Sequence, residues 1–211
     1  WEDIVNIAAG YYHSVGVKKD GTVVAVGVNS TDIGFAFINT RFHSLTGVNF
    51  MLYNITDWLG LIPIAVALGF AILGLVQLIK RKSLWKVDRS ILAIGVFYIV
   101  VMSAYIFFEM VVINYRPTLI DGYLEASYPS STTMLVMCVM PTAMMQLRAR
   151  IKNKVFSRCV MVAIAVFIAF MVIGRLVSGV HWITDIIGGA LFSTAIVLMY
   201  YAICNIVTKN R

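Results

Sequence analysis

Residues 58–79 read WLGLIPIAVALGFAILGLVQLI, and the run stops at Lys80-Arg81-Lys82. A charge-free stretch of that length crosses the apolar core of a bilayer as a helix, because a helix rises about 1.5 Å per residue. Four more such runs follow, at about Ile91–Asn114, Ser131–Leu147, Cys159–Val177 and Trp182–Val207. All are apolar round most of their circumference, so length favours helix over strand. Pro141 falls inside the third and is expected to kink it, which neighbouring helices tolerate in a membrane. The fold class is therefore all-α: a polytopic transmembrane bundle of about five spans.

The rest of the composition agrees. Hydrophobic residues make up 60% of the 211, charged residues 13%, and the mean hydropathy is +0.87. Soluble domains sit near 45–50% apolar and about 25% charged. A soluble globular protein, a disordered chain and a disulfide scaffold are all excluded. The formal charge of +7 would suggest nucleic acid in a soluble protein. Here the cations gather in short loops between apolar runs, and no basic patch interleaved with aromatics marks a nucleic-acid partner. Cys138, Cys159 and Cys204 lie far apart in or beside apolar stretches, with neither metal-ligand nor disulfide spacing.

The loops set the orientation. Lys80–Lys86 holds four basic residues and Arg148–Arg158 holds five; Lys209 and Arg211 follow the last run. With five spans, all three clusters fall on one side, expected to be cytoplasmic. The 115–130 loop, the 178–181 turn and the N-terminus then lie outside. An odd span count with an outside N-terminus leads to the expectation of a first helix lost upstream.

Residues 1–29 read differently from the rest. Two β-prone runs, Ser14–Lys18 and Thr22–Gly27, flank Lys19-Asp20-Gly21, a strong hairpin signal. With Gly10, His13, Asp20-Gly21 and Val26-Gly27, this stretch resembles one repeat of the regulator-of-chromosome-condensation propeller family. A propeller needs several blades to bury its faces. The expectation is a β-hairpin fragment that is dispensable to the rest. Residues 30–54 mix aromatics with Asn, Thr, Arg41 and His43 and read as an interfacial or linker segment. The transmembrane domain is placed at 55–211.

Five residues stand where the external loops meet the membrane: Arg116, Ser130, Arg175, His181 and Asp185. Each has an ordinary reading alone. The arginines can snorkel to headgroups, Ser130 can cap a helix, His181-Trp182 can sit in an interfacial belt, and Asp185 can favour a helix start. Together they suit phosphate chemistry. A helix would stack His181 and Asp185 one turn apart, so the carboxylate fixes the tautomer and frees the other imidazole nitrogen as a nucleophile. The helix start at Ser130–Thr133 offers unpaired N–H groups to an anion, and guanidinium forks match phosphate oxygens.

Glu109-x6-Arg116-Pro117, Pro129-Ser130-Ser131-Thr132 and Gly174-Arg175-x5-His181-x3-Asp185 together resemble the three-part signature of the type 2 phosphatidic acid phosphatases, relatives of the vanadium haloperoxidases. In that family the motifs run K-x6-R-P, P-S-G-H and S-R-x5-H-x3-D. The resemblance covers about residues 50–207. It implies a multi-pass plasma-membrane enzyme of bacterial type, and the loop charges above put its site on the outer face. Such an enzyme removes phosphate from lipid phosphates or pyrophosphates through a phosphohistidine, without metal or cofactor. His181 is then the nucleophile and Asp185 its orienter. Arg116, Ser130, Ser131, Thr132 and Arg175 cradle the phosphate.

Departures from the signature separate two readings. Glu109 stands where the family has Lys, and a carboxylate there repels phosphate unless it pairs with Arg116 or points away. Thr132 stands where the family His protonates the leaving oxygen, and a Thr hydroxyl cannot do so near neutral pH. Ser131 and Gly174 replace a Gly and a Ser. The chain is then either a phosphatase that prefers polyprenyl or similar lipid pyrophosphates, or an inactive member that binds anionic lipid headgroups.

Overall fold

The computed structural model describes residues 3–9, 13–27 and 35–209. Three antiparallel strands come first: β1 (Ile4–Ala9), β2 (His13–Lys18) and β3 (Val23–Gly27), in the order β1-β2-β3. The hairpin between β2 and β3 turns at Asp20-Gly21 as the sequence suggested, with Gly21 at φ +82° and Val17 opposite Val23. The finding beyond the sequence is β1, which adds a third strand on the other edge of β2.

Among the described residues, seven α-helices follow: α1 (Ala36–Thr46), α2 (Phe50–Leu59), α3 (Leu61–Arg81), α4 (Arg89–Met110), α5 (Ser131–Arg150), α6 (Lys154–Val177) and α7 (Ile183–Lys209). Asn49 caps α2 by accepting from Leu52 N, and Asn153 caps α6 by accepting from Val155 N and Phe156 N. The segment expected to be an interfacial linker thus holds α1 and the start of α2. Together α2 and α3 make a near-continuous apolar run, Phe50–Arg81, that begins earlier than the sequence placed its first span.

Among the described residues, four helical stretches are long and apolar enough to cross a membrane: Phe50–Arg81, Arg89–Met110, Lys154–Val177 and Ile183–Asn205. Helix α5 forms where the third span was expected and runs on through Pro141, but its composition falls short of that standard. The reason is position. It packs against α3, α4, α6 and α7, and buries Thr132, Thr133, Thr142 and Gln146 along with Met134, Val136 and Met140. A helix ringed by protein has little need of an apolar surface for lipid. Its neighbours show the converse: Ile72, Val166 and Ile173 point outward, exposed. Ile91, Ile94, Phe97 and Val101 of α4 meet Met134 and Cys138 of α5 and Val197 and Tyr200 of α7 in the core.

One end of the bundle gathers the basic loops. Gln146 Nε2 donates to Ser90 O at 3.2 Å and to the Tyr200 hydroxyl at 2.9 Å, and Arg150 donates to Ser90 Oγ at 3.3 Å. These bonds join the C-terminal end of α5 to the start of α4. Arg81 pairs with Asp88 at 2.8 Å, and Gln77 donates to the same carboxylate, which closes the turn from α3 to α4. The motif residues collect at the opposite end.

Candidate active site

The 178–182 turn between α6 and α7 carries His181. Ser178 Oγ donates back to Arg175 O at 2.7 Å, and Asn49 N donates to Ser178 O at 2.9 Å, so the α1–α2 linker lies against the turn. Gly179 sits at φ +66°, and a Cβ there would fall 1.7 Å from Gly47 O. Only glycine fits. Trp182 is buried rather than set in an interfacial belt, and donates from Nε1 to Tyr115 O at 2.8 Å; His43 meets it edge-on at 5.6 Å.

His181 and Asp185 are not stacked on one helix, because α7 begins only at Ile183. Ser127 stands between them. Its hydroxyl donates to Asp185 Oδ2 at 2.5 Å, and both its Oγ and its carbonyl O lie 3.2 Å from His181 Nδ1. A carbonyl only accepts and the hydroxyl proton goes to Asp185, so Nδ1 carries hydrogen and Nε2 holds the lone pair. That Nε2 is buried without a partner among the described residues. Asp185 Oδ2 also accepts from Trp182 N at 2.9 Å. Burial, with Arg116 and Arg175 nearby, holds the His181 imidazole well below its ordinary pKa.

The two arginines meet across Tyr53 of α2. Arg175 lies 4.6 Å from the ring centroid and Arg116 5.7 Å, and Arg116 also donates to the Tyr53 hydroxyl at 3.4 Å. Arg175 donates to Thr132 Oγ1 at 2.6 Å and to Asp57 Oδ1 at 3.0 Å. Arg116 pairs with Glu125 at 3.1 Å rather than with Glu109. Ser130 is fully buried; its N–H donates to Asp185 O at 3.2 Å and its Oγ accepts from Thr133. Ser131, Glu109, Ser127 and His181 line one small cavity, so Glu109 does face the site.

Every motif residue thus gathers at one end of the bundle, with Thr132 serving Arg175. Ser127, Tyr53 and Asp57 were missed by sequence reasoning. Asp57 had a signal: it is the only Asp, Glu, Lys or Arg between Arg41 and Lys80, and an ionisable group in an apolar run is a site candidate by default. Ser127 had none beyond its nearness to Pro129.

A second cavity of about 950 Å³ runs between α3, α4 and α5. It is lined by Asp57, Thr132, Ser131 and Tyr105 at the site end and by Leu78, Leu84 and Val87 at the far end. The lining between is aliphatic, including Leu68, Ile91 and Leu135.

Comparison with known proteins gives two family matches. The regulator of chromosome condensation (RCC1) repeat matches residues 4–31, which take in the sheet. The PAP2 superfamily matches residues 64–209. No curated protein matches the chain. Among solved structures, the first transmembrane PAP2 type phosphatidylglycerolphosphate phosphatase from Bacillus subtilis is similar at 18% identity and a TM-score of 0.47, over 83% of this chain and 96% of that one. The PAP2 match spans well over half of the 211 residues and takes in Glu109, Arg116, Ser130, Arg175, His181 and Asp185; the chain belongs to the PAP2 superfamily, a superfamily of phosphatases.

Proposed function

We propose that this protein is a membrane lipid phosphatase in which His181 attacks phosphorus, with lipid pyrophosphates as its preferred substrates. The observation that carries this is the unpartnered His181 Nε2, whose other nitrogen is held by Ser127 and, through it, Asp185. Nε2 bonds to phosphorus as the P–O bond to the leaving group breaks. The resulting phosphoimidazolium keeps its Nδ1–H on Ser127, with the Asp185 carboxylate beyond. Arg116, Arg175, Ser130 and the first N–H groups of α5 hold the phosphoryl oxygens. Water then attacks phosphorus, the N–P bond breaks, and phosphate leaves. The aliphatic cavity supports a lipid substrate, because it opens on Thr132 and Asp57, both partners of Arg175.

The leaving group decides the preference. A monoester leaves as an alkoxide and needs a proton. Thr132 has none to give near neutral pH, and its oxygen accepts from Arg175. A pyrophosphate leaves as a phosphate monoester, whose second pKa is about 6 by analogy with phosphorylated side chains, and departs with little help.

The test is phosphate release by purified protein in detergent on matched lipid monophosphates and pyrophosphates. The parent turns over the pyrophosphate faster, His181→Ala abolishes both activities, and Ser127→Ala lowers kcat by about tenfold or more, as loss of a group orienting a reactive imidazole does. Thr132→His raises monoester hydrolysis far more than pyrophosphate hydrolysis. Equal or better turnover of phosphatidic acid by the parent overturns the preference. Absence of turnover on both classes, with headgroup binding retained, establishes an inactive lipid binder instead.

A further inference from the structure

The three-stranded sheet does not stand off from the bundle. Val15 and Val17 of β2 and Val23 of β3 bury one face of it against Tyr115, Leu119 and Leu124 of the α4–α5 loop. Val23 N donates to Pro117 O at 3.2 Å, and Thr22 bridges Thr118 in antiparallel register. The start of β3 therefore pairs with the residues that directly follow Arg116. The loop is folded on itself beneath the sheet: Tyr115 bridges Ala126, Arg116 N donates to Glu125 O at 3.1 Å, and Arg116 Nε donates to Ala126 O at 3.3 Å. From below, Trp182 holds Tyr115 O and Tyr53 holds the Arg116 guanidinium. Arg116 thus sits in a loop gripped on one side by the bundle and on the other by the sheet.

We infer that the repeat-like sheet is a positioning element of the site, which holds the Arg116 loop in its anion-binding form. This rests on the reading of Arg116 as a phosphate ligand. A loop secured on one side only exposes Tyr115, Leu119 and Leu124 and samples arrangements in which the guanidinium is elsewhere. Anion affinity falls by the fraction of time so spent. The inference runs against the sequence expectation that residues 1–29 are dispensable. The opposite face of β1, with Val5 and Ile7 exposed, has no part in this contact.

The experiment compares the parent with Val17→Lys, Val23→Ala and a deletion of residues 1–29, each alone and combined with Arg116→Ala. The readouts are KM and kcat on a lipid pyrophosphate, and the Kd for inorganic phosphate where turnover is too slow to follow. Val17→Lys and the deletion raise KM and the phosphate Kd by about tenfold, within the ordinary range of coupling between sites. Val23→Ala gives a smaller rise in the same direction and serves where the harsher variants fail to insert. Val5→Lys changes nothing. In the Arg116→Ala background the sheet variants add no further loss, because the group they position is gone. Unchanged KM and Kd in all three sheet variants overturn the inference, and so does a full additional loss on top of Arg116→Ala. His181→Ala is run alongside: turnover that survives it removes the catalytic reading, an outcome separate from failure of the sheet variants.

Discussion

The two nitrogens of His181 have opposite surroundings, and its chemistry follows from that difference. Nδ1 is fixed by Ser127, while Nε2 is buried and unpartnered at the cavity shared with Glu109 and Ser131. The charged groups around the ring are Arg116 on the α4–α5 loop, Arg175 on α6, Asp185 on α7 and Glu109 on α4. Burial and the two cations hold the imidazole neutral well below its ordinary range. On the proposed mechanism, the acid limb of kcat/KM reports protonation of His181 in the free enzyme and lies below the range of a solvent-exposed histidine. Removing a nearby cation relieves one cause of that depression, so Arg116→Gln moves the limb to higher pH; a pH–rate profile of the two proteins checks the direction. His181 itself was legible from the x5 and x3 spacings about it. The way it is held was not, because Ser127 is 54 residues away in sequence and nothing local marks it as a partner.

The elements that aim these side chains were legible in proportion to how much of their surface faces lipid. Helices α3, α4, α6 and α7 announce themselves by hydropathy because their outer faces have no protein to cover them. Helix α5 was read as one more lipid-facing span, yet it is the central one, and its threonines and Gln146 reflect protein neighbours on all sides. Helix α2 was obscured by the polar Asn49, Asn54, Thr56 and Asp57, of which Thr56 and Asp57 face Arg175. The 178–182 turn depends on a close approach that only the folded chain reveals. Gly179→Ala places a methyl group 1.7 Å from Gly47 O and forces a side chain into φ +66°. The backbone strain alone is about 1–2 kcal/mol, and relief of the clash must part the α1–α2 linker from the turn. The expected result is a lower melting temperature in detergent, together with loss of activity out of proportion to the stability change, because His181 is displaced. An unchanged kcat would show that the linker contact does not govern the position of His181.

At the scale of the whole molecule, charge and chemistry sit at opposite ends. Lys80, Arg81, Lys82, Lys86, Arg148, Arg150, Lys152 and Lys154 lie in or beside the α3–α4 and α5–α6 connections at one end, where Gln146 and Arg150 of α5 donate to Ser90 of α4. Arg116, Ser127, Arg175 and His181 lie at the other, with the length of α3–α7 between. Basic loops are retained on the cytoplasmic side during insertion, so the site is expected to face outward, where it would meet substrate in the outer leaflet. This separation was already visible in the spacing of the basic clusters along the sequence; the contacts of Ser90 add that Arg150 of the second cluster reaches the start of α4. Single cysteines at Ser83, Ser157 and Tyr123, placed in a background lacking Cys138, Cys159 and Cys204, test the orientation with a membrane-impermeant thiol reagent applied to intact cells. Tyr123 lies exposed at the tip of the α4–α5 loop, where Ile120 and Tyr123 pair across Asp121-Gly122. Tyr123→Cys is expected to label from outside, and Ser83→Cys and Ser157→Cys only after the cells are opened. The reverse pattern would put the phosphatase site in the cytoplasm and make its substrate an inner-leaflet lipid, leaving the chemistry at His181 unchanged.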